Sequence, residues 1–257
     1  MDPILDFRGK VALITGASSG FGNLLARELG ARGAKLVLGD INQADLMTLA
    51  DELGGAGIDV RAQRCDVSSE PDCAALAELA QMAFGGLDIA VNNAGIAPPM
   101  MAVEETTEAE MDRQYNVNLK GVLFGLKHQL PLMKGKGGAI LNVSSMAGLG
   151  GAPKIASYAA AKHAVIGLTK TAAVENAKYG VRVNAICPFF TLTPMVTGIE
   201  SPGVSQQDFQ AFLASGCPMK RLGQPEEVIA AMLMLLSPKM TYVTGQALAV
   251  DGGLSAF

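Results

Sequence analysis

A chain of 257 residues, 49% hydrophobic and 17% charged, is long enough for one large α/β domain and too apolar for a disordered protein. Its formal net charge of -4 gives no electrostatic footprint for a nucleic-acid partner. Cys65, Cys73, Cys187 and Cys217 form no C-x-x-C pair and lack metal-ligand spacing; "MDPILDFRGK" has no signal-peptide pattern, and no apolar run is of bilayer length. The expectation is a reduced, cytoplasmic protein with no metal and no membrane partner.

In chain order, "KVALITG" (10–16) and "AKLVLGD" (34–40) read as strands, and "VRAQRCDV", "LDIAVNNAG", "GAILNVSS", "GVRVNAICP" and "ALAVDGG" supply the others. Between them lie amphipathic stretches such as "GNLLARELGARG", "SEPDCAALAELAQMAFG" and the long "EAEMDRQYNVNLKGVLFGLKHQLPLM". Apolar strands separated by helix-length segments predict a parallel sheet of about seven strands, covered on both faces. Right-handed crossovers make this a single-domain, doubly wound, Rossmann-type α/β fold over residues 1–257. One long irregular stretch, about 189–224, is expected to be a substrate-loop insertion, since such loops are commonly lids or binding loops.

"TGASSGFG" (15–22) joins the first strand to the first helix. Gly16, Gly20 and Gly22 permit a tight turn and close backbone approach to a pyrophosphate, with Ser18, Ser19 and Phe21 contributing backbone at the helix N-terminus. Asp40 ends the second strand, where a carboxylate either accepts hydrogen bonds from an adenosine ribose or caps the following helix. In the first role it repels a 2′-phosphate, and no Lys or Arg stands at 17–19 or 41, so NAD is favoured over NADP.

"SYAAAKHAVIGLTKTAA" places Tyr158 and Lys162 one turn apart on one helix face. A nearby ammonium stabilises a phenolate and is expected to lower the tyrosine pKa. Ser145, ending the "GAILNVSS" strand, can add a hydroxyl at the carboxyl edge of the sheet, where open α/β sheets bind ligands. His128 and His163 read as packed or surface positions on their helices.

"TGASSGFG", "NNAG" (92–95), Asn118 in "YNVNLKG", Ser145, "YAAAK" and "RVNAICP" follow the order and spacing of the short-chain dehydrogenase/reductase family, which the chain resembles over almost its whole length. The resemblance implies that Tyr158 is the general acid/base, with Ser145 bonding the reacting oxygen. Lys162 would hold the nicotinamide ribose, and Asn118 would complete a proton relay with it. It further implies that Asp66 and Val67 contact adenine, that Asn93 lines the cofactor cleft, and that Pro188, Thr191 and Thr193 lie at the nicotinamide. A homotetramer is also implied, built from the helices around 107–133 and 155–179 and the terminal strand.

Relatives most commonly have glycine where this chain has Phe189, so either the local turn differs or the ring fits with negative φ and projects into the cleft. Ile96, Met146, Phe189 and Phe190 are the candidate substrate contacts. Pro98, Pro99, Met100, Met195, Phe209, Phe212, Leu213 and Met219 are further apolar candidates. Their character predicts a medium-sized apolar secondary alcohol or ketone as the small-molecule substrate. A 3-oxoacyl carrier-protein or acyl-CoA reductase is the alternative. A non-catalytic NAD-binding scaffold or sensor is a remoter one.

Overall fold

The computed structural model describes residues 3–198 and 205–256. All seven expected strands form: β1 (Val11–Thr15), β2 (Lys35–Asp40), β3 (Val60–Arg64), β4 (Ile89–Asn92), β5 (Gly138–Val143), β6 (Val181–Pro188) and β7 (Ala247–Val250). They make one parallel sheet in the order β3-β2-β1-β4-β5-β6-β7. Helices α1 (Gly20–Ala31), α2 (Gln43–Gly55) and α3 (Glu70–Phe84) follow the first three strands. The long segment after β4 becomes α4 (Glu108–Gln114) and α5 (Gly121–Met133), and α6 (Ala156–Asn176) precedes β6. Helices α7 (Pro194–Thr197), α8 (Gln206–Ser215) and α9 (Pro225–Leu236) come before β7.

The period of two along the strands explains the layering. Ile14, Leu36, Leu38, Val91 and Leu141 point to one face, under Leu25, Leu29, Leu46 and Leu233. Their neighbours Leu13, Val37, Ala90 and Ile140 point to the other, under Leu76, Leu126 and Val165. Each fully buried aliphatic side chain of this kind stabilises the fold by roughly 1.5–3 kcal/mol. Strand β3 departs from the expected apolar run, because "VRAQR" is an edge strand with exposed Arg61 and Arg64. Charged side chains on such an edge discourage pairing with another chain.

Two expectations need correction. The long amphipathic segment is not one α-helix: Tyr115–Lys120 forms a π-helical turn between α4 and α5. The stretch 189–224 is not irregular throughout, since α8 lies within it. There Phe209 and Leu213 pack with Val196 and Leu222 into a small core of their own. Among the described residues no helix is long and apolar enough to cross a membrane.

Candidate active site

The sheet reverses its winding between β1 and β4, so the loops after these strands diverge and leave a crevice at their carboxyl ends. The glycine-rich loop lines one side. Gly16 and Gly20 have φ of +65° and +52°, which favour glycine. A Cβ on Gly22 would lie 2.1 Å from the Gly16 carbonyl oxygen, so only glycine lets the helix start this close to the loop. Ser19 caps α1 without a side-chain bond, which leaves first-turn N–H groups open to an anion. Asn93 braces the turn: its Nδ2 donates to the carbonyls of Thr15 (2.9 Å) and Gly16 (3.0 Å).

Asp40 is buried at the tip of β2. Its Oδ2 accepts from the Ser18 N–H (2.9 Å) and its Oδ1 from the Asn42 N–H (2.9 Å). The helix cap falls instead to Asn42, whose side chain accepts from the Asp45 N–H (3.3 Å). Each Asp40 oxygen therefore keeps acceptor capacity for a ribose hydroxyl. Asp66 is engaged by its own turn, accepting from the Ser68 N–H (2.9 Å) and Oγ (2.7 Å). Val67 is buried against Gly121. Thr191 and Thr193 are buried, and Thr193 lies against Gly20, so the segment after β6 closes over the phosphate loop. Pro188 ends β6 beside Val250.

Across the crevice, Ser145 leaves β5 in an extended conformation and hydrogen-bonds Tyr158. Lys162 is buried one turn along α6. Its Nζ donates to the Val143 carbonyl (2.8 Å) and lies 5.5 Å from the Tyr158 ring centroid. Burial pulls the Lys162 pKa down to about 8 and pushes the neighbouring Cys187 thiol up to about 11. Burial also pushes the Tyr158 phenol up, with the Ser145 hydrogen bond opposing it. Desolvation is thus the largest influence on the phenol in the free chain, and the direction is upward where a depression by Lys162 was expected.

Asn118 sits in the π-helical turn, fully buried. Its Oδ1 accepts from the Ile96 N–H (2.9 Å) and its Nδ2 donates to the Ile96 carbonyl (3.0 Å). A Cβ on Gly95 would come 2.7 Å from Asn118 Oδ1 and 3.5 Å from Lys162 Nζ, so Asn118 and Lys162 flank one glycine. This crowding gives Gly95 a structural reason that the motif alone did not show. Gln114, which bonds Asn118, had no signal in the sequence beyond being polar within an amphipathic stretch.

The apolar candidates divide. Phe190 packs into the small core around Phe209 and Leu213, whereas Met146 packs on Ile166, Ala185 and Cys187. Phe189 is partly buried, has no left-handed φ, and meets Phe190 edge-on at 4.8 Å between ring centroids. Met100, Met195, Phe212 and Met219 are exposed. The two histidines bond locally, His163 Nδ1 with the Ala159 carbonyl (2.9 Å) and His128 Nε2 with Glu70 (3.2 Å).

The residues present fit NAD: a glycine cradle at a helix N-terminus, a strand-tip carboxylate, and a buried lysine beside a tyrosine. Comparisons with known proteins agree. A family profile described as Enoyl-(Acyl carrier protein) reductase matches residues 16–255. The cis-4-hydroxycyclohexanecarboxylate dehydrogenase of Sinomonas cyclohexanicum is 42% identical over 97% of this chain and 98% of its own. The crystal structure of levodione reductase superposes with a TM-score of 0.93 at 36% identity, covering 97% of this chain and 99% of that one. A short-chain type dehydrogenase/reductase from Mycobacterium marinum gives 0.91 at 32% identity, covering 99% and 98%. With fold, cofactor cradle and relatives in accord, the chain belongs to the short-chain dehydrogenase/reductase family and is an NAD-dependent oxidoreductase.

Proposed function

We propose that this chain interconverts secondary alcohols and ketones of medium-sized apolar substrates, six-membered alicyclic rings first among them. The observation that carries the reading is the cluster of Ser145, Tyr158 and Lys162 at the carboxyl edge of the sheet. The similarity to a hydroxycyclohexanecarboxylate dehydrogenase supports the ring class.

In the oxidation direction Tyr158 Oη takes the hydroxyl proton, while Ser145 Oγ hydrogen-bonds the same oxygen and holds the carbinol carbon in register. Lys162, with a pKa brought near neutrality by burial, can pass a proton between Tyr158 and the Asn118 side of the site. NAD, when bound, supplies the hydride acceptor and NADH the donor. Asp40, Gly16, Gly22, Thr191 and Thr193 orient the cofactor, and Ile96, Met146 and Phe189 shape the substrate side. The insertion 189–224 serves as the substrate loop, with Phe190 anchoring Phe189 to it.

The test is a panel of alicyclic, aromatic and polyol alcohols with NAD and NADP. Turnover of alicyclic alcohols with NAD is expected; activity confined to polar polyols sinks the reading. On the same panel, Phe189→Gly should shift kcat/KM towards bulkier alcohols by about tenfold while KM for NAD stays within about twofold. Unchanged preference would return the ring to a packing role. A carrier-protein reductase, the competing activity, would be detected by adding an acyl carrier-protein substrate.

The same reading extends to a cytoplasmic homotetramer that binds neither nucleic acid nor membrane. Val174 (81% exposed) on α6, Leu123 (44%) on α5 and Leu248 (40%) on β7 offer apolar surface of the kind that assembly covers. Sedimentation equilibrium should give four chains per particle, and a monomer would exclude this assembly.

A further inference from the structure

Gln114 is a fully buried glutamine at the last position of α4, where the π-helical turn begins. A buried amide is costly unless both of its ends are bonded. Here both are: Nε2 donates to Glu110 Oε1 (2.8 Å), and Oε1 accepts from Asn118 Nδ2 (2.5 Å). Glu110 is held by Arg113 Nε (2.8 Å) and Nη2 (3.0 Å), a pairing that keeps its carboxyl below the usual range.

An ionised carboxylate only accepts hydrogen bonds, so it sets the direction of the bonds beyond it. Gln114 must turn its NH₂ to Glu110 and its oxygen to Asn118. Asn118 answers with Nδ2, the orientation that the Ile96 N–H (2.9 Å to Oδ1) also requires, so the strap and the Ile96 backbone hold the amide together. Arg113 closes the strap by donating from Nη2 to the Ala97 carbonyl (3.2 Å). The strap thus grips the backbone on both sides of Ile96, next to the glycine flanked by Asn118 and Lys162. A hydrophobic side chain could fill the space of Gln114 but could not transmit this polarity.

We propose that Gln114 is a positioning residue, which fixes the amide orientation of Asn118 and the 95–97 backbone beside Lys162. The proposal rests on the dehydrogenase reading above, and the assay separates the two. Gln114→Met keeps the volume and removes both hydrogen bonds. With the Asn118 end unheld, kcat for an alicyclic alcohol should fall about tenfold while Kd for NAD stays within about twofold; the thermal midpoint falls as well, because buried groups lose their partners. The exchange Glu110→Gln with Gln114→Glu presents the same acceptor to Asn118 and should return kcat to within about threefold of wild type. Wild type that turns over no alcohol or ketone overturns the dehydrogenase reading and this proposal with it. Active wild type with an unaffected Gln114→Met overturns this proposal alone. So does a parallel fall of kcat, NAD affinity and thermal midpoint that the exchange does not recover, because that marks a merely structural residue.

Discussion

Tyr158→Phe is expected to lower kcat for alcohol oxidation by about 10³-fold, the scale of a lost general base. The substitution removes one oxygen and leaves the ring packing, so isothermal titration should give an NAD affinity within about twofold of wild type. Burial holds the phenol pKa above its ordinary value in the free chain, and Ser145 is the group that opposes it. Oxidation needs the phenolate, so kcat/KM for the alcohol should rise with pH through the titration of this group. Reduction needs the phenol, so its rate should fall over the same range. Lys162, pulled down to about 8, titrates below that range, so in the free chain its charge is lost before the phenol ionises. A Tyr158→Phe enzyme that keeps its rate and rising limb would remove Tyr158 from the proton-transfer role.

Asp40→Ala should raise Kd for NAD by about 10²-fold while improving the relative use of NADP, measured as the ratio of kcat/KM for the two cofactors. The carboxylate has acceptor capacity left on both oxygens after bonding the backbone N–H groups of Ser18 and Asn42. Hydrogen bonds to a charged group contribute about 1.5–3 kcal/mol each, so losing ribose bonds accounts for a change of that size. Removing the charge also removes its repulsion of a 2′-phosphate, and position 41 is an exposed isoleucine that supplies no cation. An NAD affinity unchanged by the substitution would reduce Asp40 to a brace for the phosphate loop. A thermal-unfolding scan separates that case from general destabilisation.

Much of the site was legible in the sequence because its parts are local. A tyrosine and a lysine four apart share a helix face whatever surrounds them, and glycines between a strand and a helix mark a tight turn. Asp40 was legible as an acid at a strand tip, though its two roles could be separated only once Asn42 was seen to take the cap. Phe189 and Phe190 could not be told apart in the sequence. The structure gives Phe190 to the insertion core and leaves Phe189 outside it.

The sequence by itself determined the alternation of seven strands with helices, the phosphate loop and the Tyr158–Lys162 pair, since period and turn chemistry act over a few residues. Tertiary structure alone decided the π-helical turn, the Gln114–Asn118–Ile96 strap and the upward direction of the Tyr158 pKa. The physical reason is range. Ser18 meets Asp40 22 positions away, Ile96 meets Asn118 at the same separation, and desolvation depends on everything packed around a group.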